Sequence, residues 1–194
     1  MHRHLFERLN GHRGGVIWFT GLPGSGKTTL ADELQKLLLQ LGIHCFVLDG
    51  ERLRKGLNRD LGFTEQDRME NLRRAAEMAA AFVEAGCLVL APLISPLESG
   101  RAMVRQHFQP DDYMELYVKC SLEECMRRDP KGMYQLAVKG IIPDFTGISA
   151  PYEAPSQPDL ILDTEWLSVE QCVEQCKQMI VGKIKIHSDE EYVI

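Results

Sequence analysis

Five short apolar segments divide the chain and predict the strands of one sheet. They lie at residues 16–20, 43–49, 87–94, 114–120 and 159–163, and segments with helical periodicity separate them. Strands that are nearly continuous in hydrophobicity are typical of sheets covered on both faces. The alternation of strands and helices therefore predicts an α/β fold, in which a parallel five-stranded sheet with right-handed crossovers is flanked by helices.

A long helix is predicted at about residues 65–85. Thr64 and Asp67 form a capping signal at its start, and an apolar stripe follows at helical spacing. The residues of this stripe are Met69, Leu72, Ala76, Ala79 and Val83. Between about residues 129 and 158, repeated prolines and glycines predict a loop that contains one short helix, Met133 to Lys139. We interpret this proline-rich segment as a mobile lid.

The composition of the 194 residues fits one compact domain, because 44% of them are hydrophobic and 26% are charged. We expect residues 1–13 to form an N-terminal extension and residues from about 186 to 194 to form a weakly packed tail. The net charge of -6 argues against a nucleic-acid partner. No apolar run of about 18 residues and no secretory signal is present, so the sequence predicts a soluble cytoplasmic protein without membrane contact.

The six cysteines lie in apolar or helical segments and form no C-x-x-C pair. This placement predicts reduced, buried thiols rather than a zinc site or a disulfide framework. They are Cys45, Cys87, Cys120, Cys125, Cys172 and Cys176.

The string GLPGSGKT at residues 21–28 is a phosphate-binding loop (P-loop) between a predicted strand and a predicted helix. Its backbone N–H groups are expected to surround the phosphates of ATP, with Lys27 extending from an exposed loop toward the β and γ phosphates and Thr28 binding Mg²⁺. The residues expected to bind ATP are Gly21, Gly24, Ser25, Gly26, Lys27, Thr28 and Thr29. The alternative is a glycine-rich turn without a ligand, which the strand–loop–helix context disfavours.

Two carboxylates follow the second predicted strand in the string LDGE. The third strand ends at residues 90–93 without an acid, so Asp49 and Glu51 are the candidates for catalysis. One can orient magnesium through water while the other accepts a proton from an attacking hydroxyl. They could instead serve only as a helix cap and a first-turn charge. Without an N-K-x-D guanine signature, and at this chain length, a small-molecule kinase is favoured.

Strings from about residue 11 to residue 165 resemble the adenylylsulfate kinase family. They are HRGGVIWFTGLPGSGKTTLA, LDGERLRKGLNRDLGFTEQDRMENLRRAAE, LISP, RDPKGMY and DFTGISAPYEAP. The resemblance implies a magnesium-dependent homodimer that transfers the γ-phosphoryl group of ATP to the 3'-hydroxyl of adenosine 5'-phosphosulfate. It also implies that the acceptor contacts Glu51, Arg54, Phe63, Arg68, Asn71, Ile94, Ser95, Lys131 and Phe145.

These implied roles agree with the chemistry of the side chains. Phe63 and Phe145 resemble a pair of rings that sandwich adenine, and stacking of this kind is worth about 1–3 kcal/mol per base. Arg54 and Arg68 suit a doubly anionic phosphosulfate. We assign Ser95 a catalytic role through hydrogen bonding to the substrate rather than through a covalent intermediate.

Lys131 resembles a lid residue that reaches the substrate only on closure. The chain departs from the family pattern at Glu51, Pro23, Asp144 and the pair Ser149–Ala150. These departures leave two alternatives open, a kinase of another activated nucleotide and a non-catalytic nucleotide-binding partner subunit. Retention of both aromatic rings favours an adenine nucleotide.

Overall fold

A parallel sheet of five strands forms the centre of the computed structural model, which describes residues 2–184. The strands lie in the order β2-β3-β1-β4-β5, and every neighbouring pair is parallel. Their bounds are β1 Gly15–Thr20, β2 Cys45–Val47, β3 Leu88–Pro92, β4 Tyr113–Lys119 and β5 Leu160–Asp163. The predicted fold class is confirmed.

Eight α-helices connect and cover these strands within the described residues. They are α1 Arg3–Asn10, α2 Lys27–Gln40, α3 Gly50–Lys55, α4 Glu65–Glu84, α5 Glu98–Arg105, α6 Leu122–Arg128, α7 Met133–Val138 and α8 Val169–Ile184, with a 3₁₀ turn at Pro110–Asp112. The predicted cap of α4 is present, because the Thr64 hydroxyl accepts from the Asp67 N–H at 3.1 Å. Helix α6 has a similar cap, in which the Ser121 hydroxyl accepts from the Glu124 N–H at 3.2 Å.

The core has two layers because successive side chains of β1 point to opposite faces of the sheet. Ile17 and Phe19 pack with α2 and α8 on one face. Val16 and Trp18 pack with α4 and α5 on the other. All six residues of β1 are buried, so the loop that leaves its carboxyl end rests on the best-packed part of the molecule.

Strand β2 is shorter than expected, with three residues in place of the predicted 43–49. Ile43 belongs to the turn that ends α2, since its N–H donates to the Leu38 carbonyl at 2.9 Å. Asp49 is already the N-cap of α3. The two ends of this apolar run therefore do not join the strand, because one end terminates α2 and the other starts α3.

All six cysteines are buried and carry free thiols. Within residues 2–184, no helix is long and apolar enough to cross a membrane. The predicted tail from about residue 186 lies outside the described residues.

Candidate active site

A cavity of about 1140 Å³ opens at the carboxyl ends of the strands, where open parallel sheets bind ligands. Its walls are the P-loop, the starts of α3 and α4, the loop after β3, parts of the segment 128–146, and residues 164–172. Single-ligand sites commonly measure about 300–1,000 Å³. This cavity exceeds the upper end of that range.

The P-loop forms the floor of one half of the cavity. Residues Gly24 to Thr29 line it, and Gly26 is the N-cap of α2 with φ +101°, a conformation that favours glycine. Gly21 does not line the cavity. A Cβ atom at Gly21 would lie 2.5 Å from the Val118 carbonyl oxygen, so this glycine lets the loop pass close to β4.

Lys27 is buried, and the expectation that it extends from an exposed loop is wrong. Its Nζ donates to the carbonyls of Gly21 at 2.8 Å and Leu22 at 2.7 Å. Its Nζ also lies 3.4 Å from the Ser25 hydroxyl, so atoms of the loop surround the ammonium group. Burial lowers the pKa of Lys27 to about 7.

Asp49 and Glu51 stand at the opposite wall, at the start of α3. The Asp49 Oδ1 atom accepts from the Arg52 N–H at 2.9 Å, which caps the helix, and leaves Oδ2 available to the cavity. The Glu51 carboxylate pairs with Lys131, and this contact lowers the pKa of Glu51. Lys131 therefore lies at the cavity, where it pairs with a candidate catalytic carboxylate.

The oxygen atoms on these walls fit a magnesium ion. The Thr28 side chain is exposed and borders the cavity together with Asp49. Hydroxyl and carboxylate oxygens suit Mg²⁺, which takes one or two protein ligands and the remainder from phosphates and water. No cluster of three or more His, Cys, Asp or Glu side chains that could hold a metal occurs among residues 2–184.

Two guanidinium groups surround Phe63 on the acceptor side. The Cζ atoms of Arg54 and Arg68 lie 4.3 Å and 5.7 Å from its ring centroid, and Phe63 is 53% exposed. Burial lowers the pKa of both arginines, and the Arg68 charge lowers that of Arg54 further. Two cations held this close favour an anionic ligand with at least two charges.

Asn71 lies on the same wall, one helical turn from Arg68, and is buried. Its Oδ1 accepts from the Asn58 side chain at 3.0 Å, which leaves the Asn71 amide N–H groups to face the cavity. Asn58 is fully buried and was not predicted from sequence. Its only signal was its position inside the string GLNRDLGF.

Phe145 lines the cavity opposite the arginine wall but is only 8% exposed. Its ring packs edge-on against Tyr134 with centroids 4.9 Å apart. Two of the residues that depart from the family pattern hold it in place. The Ser149 hydroxyl accepts from the Phe145 N–H at 2.9 Å, and Asp144 adopts φ +52° while its carbonyl accepts from Arg68.

Ile94 and Ser95 form the end of the cavity next to β3. Ser95 has φ +44°, which is rare for a residue with a side chain and costs about 1–3 kcal/mol. Its hydroxyl accepts from the Trp18 indole N–H at 2.8 Å. The Thr20 hydroxyl donates to the Ile94 carbonyl at 2.8 Å.

A further wall beside the P-loop carries residues that sequence reasoning did not assign. They are Thr164, Leu167, Ser168, Val169 and Cys172. Arg128, at the end of α6, also borders the cavity and donates to the Thr164 carbonyl at 2.6 Å. Trp166, in the same turn, is 82% exposed. No motif marks these positions, since their placement depends on the pairing of β5 with β4.

The fold and the site define a P-loop kinase whose cavity has a second half, lined by two arginines, beside the phosphate-binding loop. The model of the adenylylsulphate kinase family matches residues 13–163. The chain belongs to this family.

Similar proteins support this assignment. A probable adenylyl-sulfate kinase of Halalkalibacterium halodurans is 52% identical over 178 residues, 92% of this chain and 86% of that protein. The adenylyl-sulfate kinase of Staphylococcus epidermidis is 48% identical over 187 residues, 96% of this chain and 90% of that protein. The structure of the Mycobacterium tuberculosis APS kinase in complex with AMPPNP and APS matches with a TM-score of 0.84 at 44% identity, covering 87% of this chain and 98% of that one.

Proposed function

We propose that this protein transfers the γ-phosphoryl group of ATP to the 3'-hydroxyl of adenosine 5'-phosphosulfate, giving ADP and 3'-phosphoadenosine 5'-phosphosulfate. One observation carries the proposal. A single cavity has the P-loop on one side and the Arg54–Phe63–Arg68 wall on the other, with Asp49 and Glu51 at the start of α3 between them. A purine monophosphate derivative with a doubly anionic tail fits the second half by stacking and charge.

The P-loop holds the donor. The N–H groups at the start of α2 bind phosphate oxygens, and Lys27 leaves the carbonyls of Gly21 and Leu22 to neutralise charge on the transferred group. Magnesium, when bound, neutralises the phosphate oxygens. Thr28 is the residue that would hold it, directly or through water.

The carboxylates divide the remaining work. We assign Asp49 Oδ2 as the acceptor of the proton from the 3'-hydroxyl, because Glu51 is made a weaker base by Lys131. Glu51 keeps Lys131 over the acceptor, and Phe145 packs on the base opposite Phe63. Ser95 and Asn71 donate hydrogen bonds to the acceptor.

The direct test is a turnover assay on the purified full chain with magnesium-ATP and a panel of acceptors. With adenosine 5'-phosphosulfate as acceptor, the enzyme should form one ADP for each molecule of 3'-phosphorylated product. A faster reaction with a cytidine nucleotide would assign another acceptor, and nucleotide binding without ADP release from any acceptor would indicate a non-catalytic partner subunit.

The proposal also covers the localisation, the domain organisation and the oligomeric state of the protein. We place the protein in the cytoplasm, which agrees with six free, buried thiols. We propose a single kinase domain in which residues 129–158 form a lid. We also propose a homodimer, for which the exposed side chains of Leu5, Phe6 and Leu9 on α1 offer an apolar contact; light scattering on the full chain would measure its mass.

A further inference from the structure

A buried arginine lies directly beneath the Ser95 loop and takes no part in the steps described so far. Arg101 of α5 is fully buried. Its Nη1 atom donates to the Ser95 carbonyl at 2.8 Å, and its Nη2 atom donates to Glu98 at 2.6 Å. Its Nε atom lies 3.6 Å from the Glu115 carboxylate and has no hydrogen-bond partner among the described residues.

Such an arrangement is poorly explained by stability alone. Moving a guanidinium and a carboxylate out of water is costly, and a buried ion pair often stabilises no more than apolar side chains of the same volume. The unpartnered Nε atom adds to that cost. The contact that distinguishes Arg101 is its donation to the main chain of a residue that borders the cavity.

That residue is held in a conformation it would not adopt by itself. A side-chain-bearing residue at φ +44° persists only where its surroundings over-determine it. Two donors do so here: Trp18 binds the Ser95 hydroxyl and Arg101 binds the Ser95 carbonyl, both at 2.8 Å. The single hydroxyl hydrogen of Thr20 goes to the Ile94 carbonyl at 2.8 Å, so Arg101 is the main donor to the Ser95 carbonyl.

We propose that Arg101 is a positioning residue for phosphoryl transfer, which acts by fixing the Ser95 carbonyl so that the Ser95 hydroxyl faces the acceptor. The indole N–H of Trp18 occupies one lone pair of that hydroxyl, so its hydrogen is free to donate to an anionic oxygen of the acceptor. This inference rests on the proposed function, since Ser95 is assigned there to the acceptor.

The test compares Arg101→Lys with Arg105→Lys. Lysine at 101 keeps the positive charge near Glu115 but lacks the planar fork that reaches Ser95 and Glu98 together. Arg105 donates to the same Glu115 at 3.1 Å, one helical turn further on, and makes no contact with the Ser95 loop. We expect Arg101→Lys to lower kcat about 10- to 100-fold at unchanged KM for ATP, and Arg105→Lys to leave kcat unchanged.

Melting temperatures separate positioning from folding. A merely structural arginine would lower the melting temperature while kcat per folded molecule, measured well below that temperature, stayed the same; this result would overturn the inference. Where Arg101→Lys fails to fold, Arg101→Met replaces it, because methionine fills the buried space without a donor to the Ser95 carbonyl and Glu115 keeps its contact with Arg105. We expect Arg101→Met to lower kcat about 10- to 100-fold, and an unchanged kcat would overturn the inference.

A double-mutant cycle with Ser95→Ala tests the route of the effect. If Arg101 acts through Ser95, Arg101→Lys should change kcat less than about threefold in the Ser95→Ala background. A full loss in that background would overturn the inference, as would wild-type turnover in Ser95→Ala alone. A wild-type protein without turnover would instead overturn the proposed function, and the inference with it.

Discussion

At the scale of single residues, Lys27 is the side chain whose surroundings differ most from expectation. The loop buries it, its pKa falls to about 7, and its ammonium group donates to loop carbonyls. Bound phosphates bring negative charge beside it, which raises the pKa again. The residue thus links nucleotide binding to proton uptake.

This linkage predicts that binding of magnesium-ADP at about pH 8 takes up close to one proton. Lys27 is mostly neutral in the free protein above its pKa of about 7 and becomes charged in the complex. Calorimetry in two buffers of different ionisation enthalpy measures the uptake. It should vanish at about pH 6, where Lys27 is already charged, and in Lys27→Met; equal uptake at both pH values would contradict the assignment.

The two carboxylates of the site should respond differently to amide substitution. Asp49→Asn should lower kcat about 10²–10⁴-fold, the usual worth of a positioned proton acceptor. Glu51→Gln should mainly raise KM for adenosine 5'-phosphosulfate, because it releases Lys131, and Glu51→Asp should retain more of that affinity. Steady-state kinetics with both nucleotides decide the matter. A larger kcat loss in Glu51→Gln would reverse the two roles.

The sequence was informative about residues whose chemistry depends on a local string. The P-loop, the LDGE carboxylates and Arg68 with Asn71 all lie in continuous motifs, and all of them border the cavity except Gly21 and Leu22. Arg101 gave no such signal, and Asn58 gave none beyond its position inside the string GLNRDLGF. Their roles depend on side-chain contacts with Ser95 and Asn71 respectively, and a local string does not specify such contacts.

At the scale of elements, helix α4 shows why amphipathic patterns with caps are predictable. Its cap, its apolar stripe and its bounds within one residue all follow from local sequence. Helix α1 does not, because none of its residues is buried and no apolar stripe faces the core. The central position of β1 in the sheet could not be predicted either, since a run of apolar residues does not specify which strands pair with it.

The loop before α4 and the 129–158 segment supply the two aromatic walls, and they should respond differently to truncation. Phe63→Ala should raise KM for adenosine 5'-phosphosulfate about tenfold or more, with little change for ATP, because the exposed ring contacts the stacked base and the two arginines of the acceptor side but no part of the P-loop. Phe63→Trp should retain binding. Equal losses for both nucleotides would exclude the stacking role.

Phe145→Ala carries an additional cost, because this ring is buried against Tyr134. Truncation of a buried phenylalanine costs about 3–5 kcal/mol, so the melting temperature should fall together with acceptor affinity. Thermal denaturation of the two alanine variants side by side separates stacking from packing. A melting temperature unchanged in Phe145→Ala would show that its ring contributes little to the core.

At the scale of the whole molecule, α1 is attached by charge rather than by burial. Arg3 donates to both carboxylate oxygens of the buried Asp112, at 2.5 and 2.7 Å. A helix of eight residues is not stable alone in water. Arg3 therefore holds the helix on the domain together with Glu7, which accepts from the Gly14 N–H at 2.9 Å, and Asn10, which donates to the Gly86 carbonyl at 2.9 Å.

Arg3→Ala should release α1 while kcat stays at the wild-type value, because the cavity lies at the opposite ends of the strands. Hydrogen exchange of residues 3–10 is the measurement, and exchange should become fast in this variant. Arg8→Ala, an exposed arginine of the same helix, is the matched control and should leave exchange unchanged. Protection that survives Arg3→Ala would assign the attachment to other contacts.

The hydrogen bond between Trp18 and Ser95 has a spectroscopic consequence. The chain contains two tryptophans, and Trp18 is fully buried whereas Trp166 is 82% exposed. Acrylamide should therefore quench Trp166 and spare Trp18, whose shielded indole emits at shorter wavelength. The emission that resists quenching then reports on the Ser95 loop. The emission that acrylamide quenches reports on the turn of Trp166, next to the cavity wall beside the P-loop. Ligand binding in the two halves of the cavity can therefore be followed without an added label.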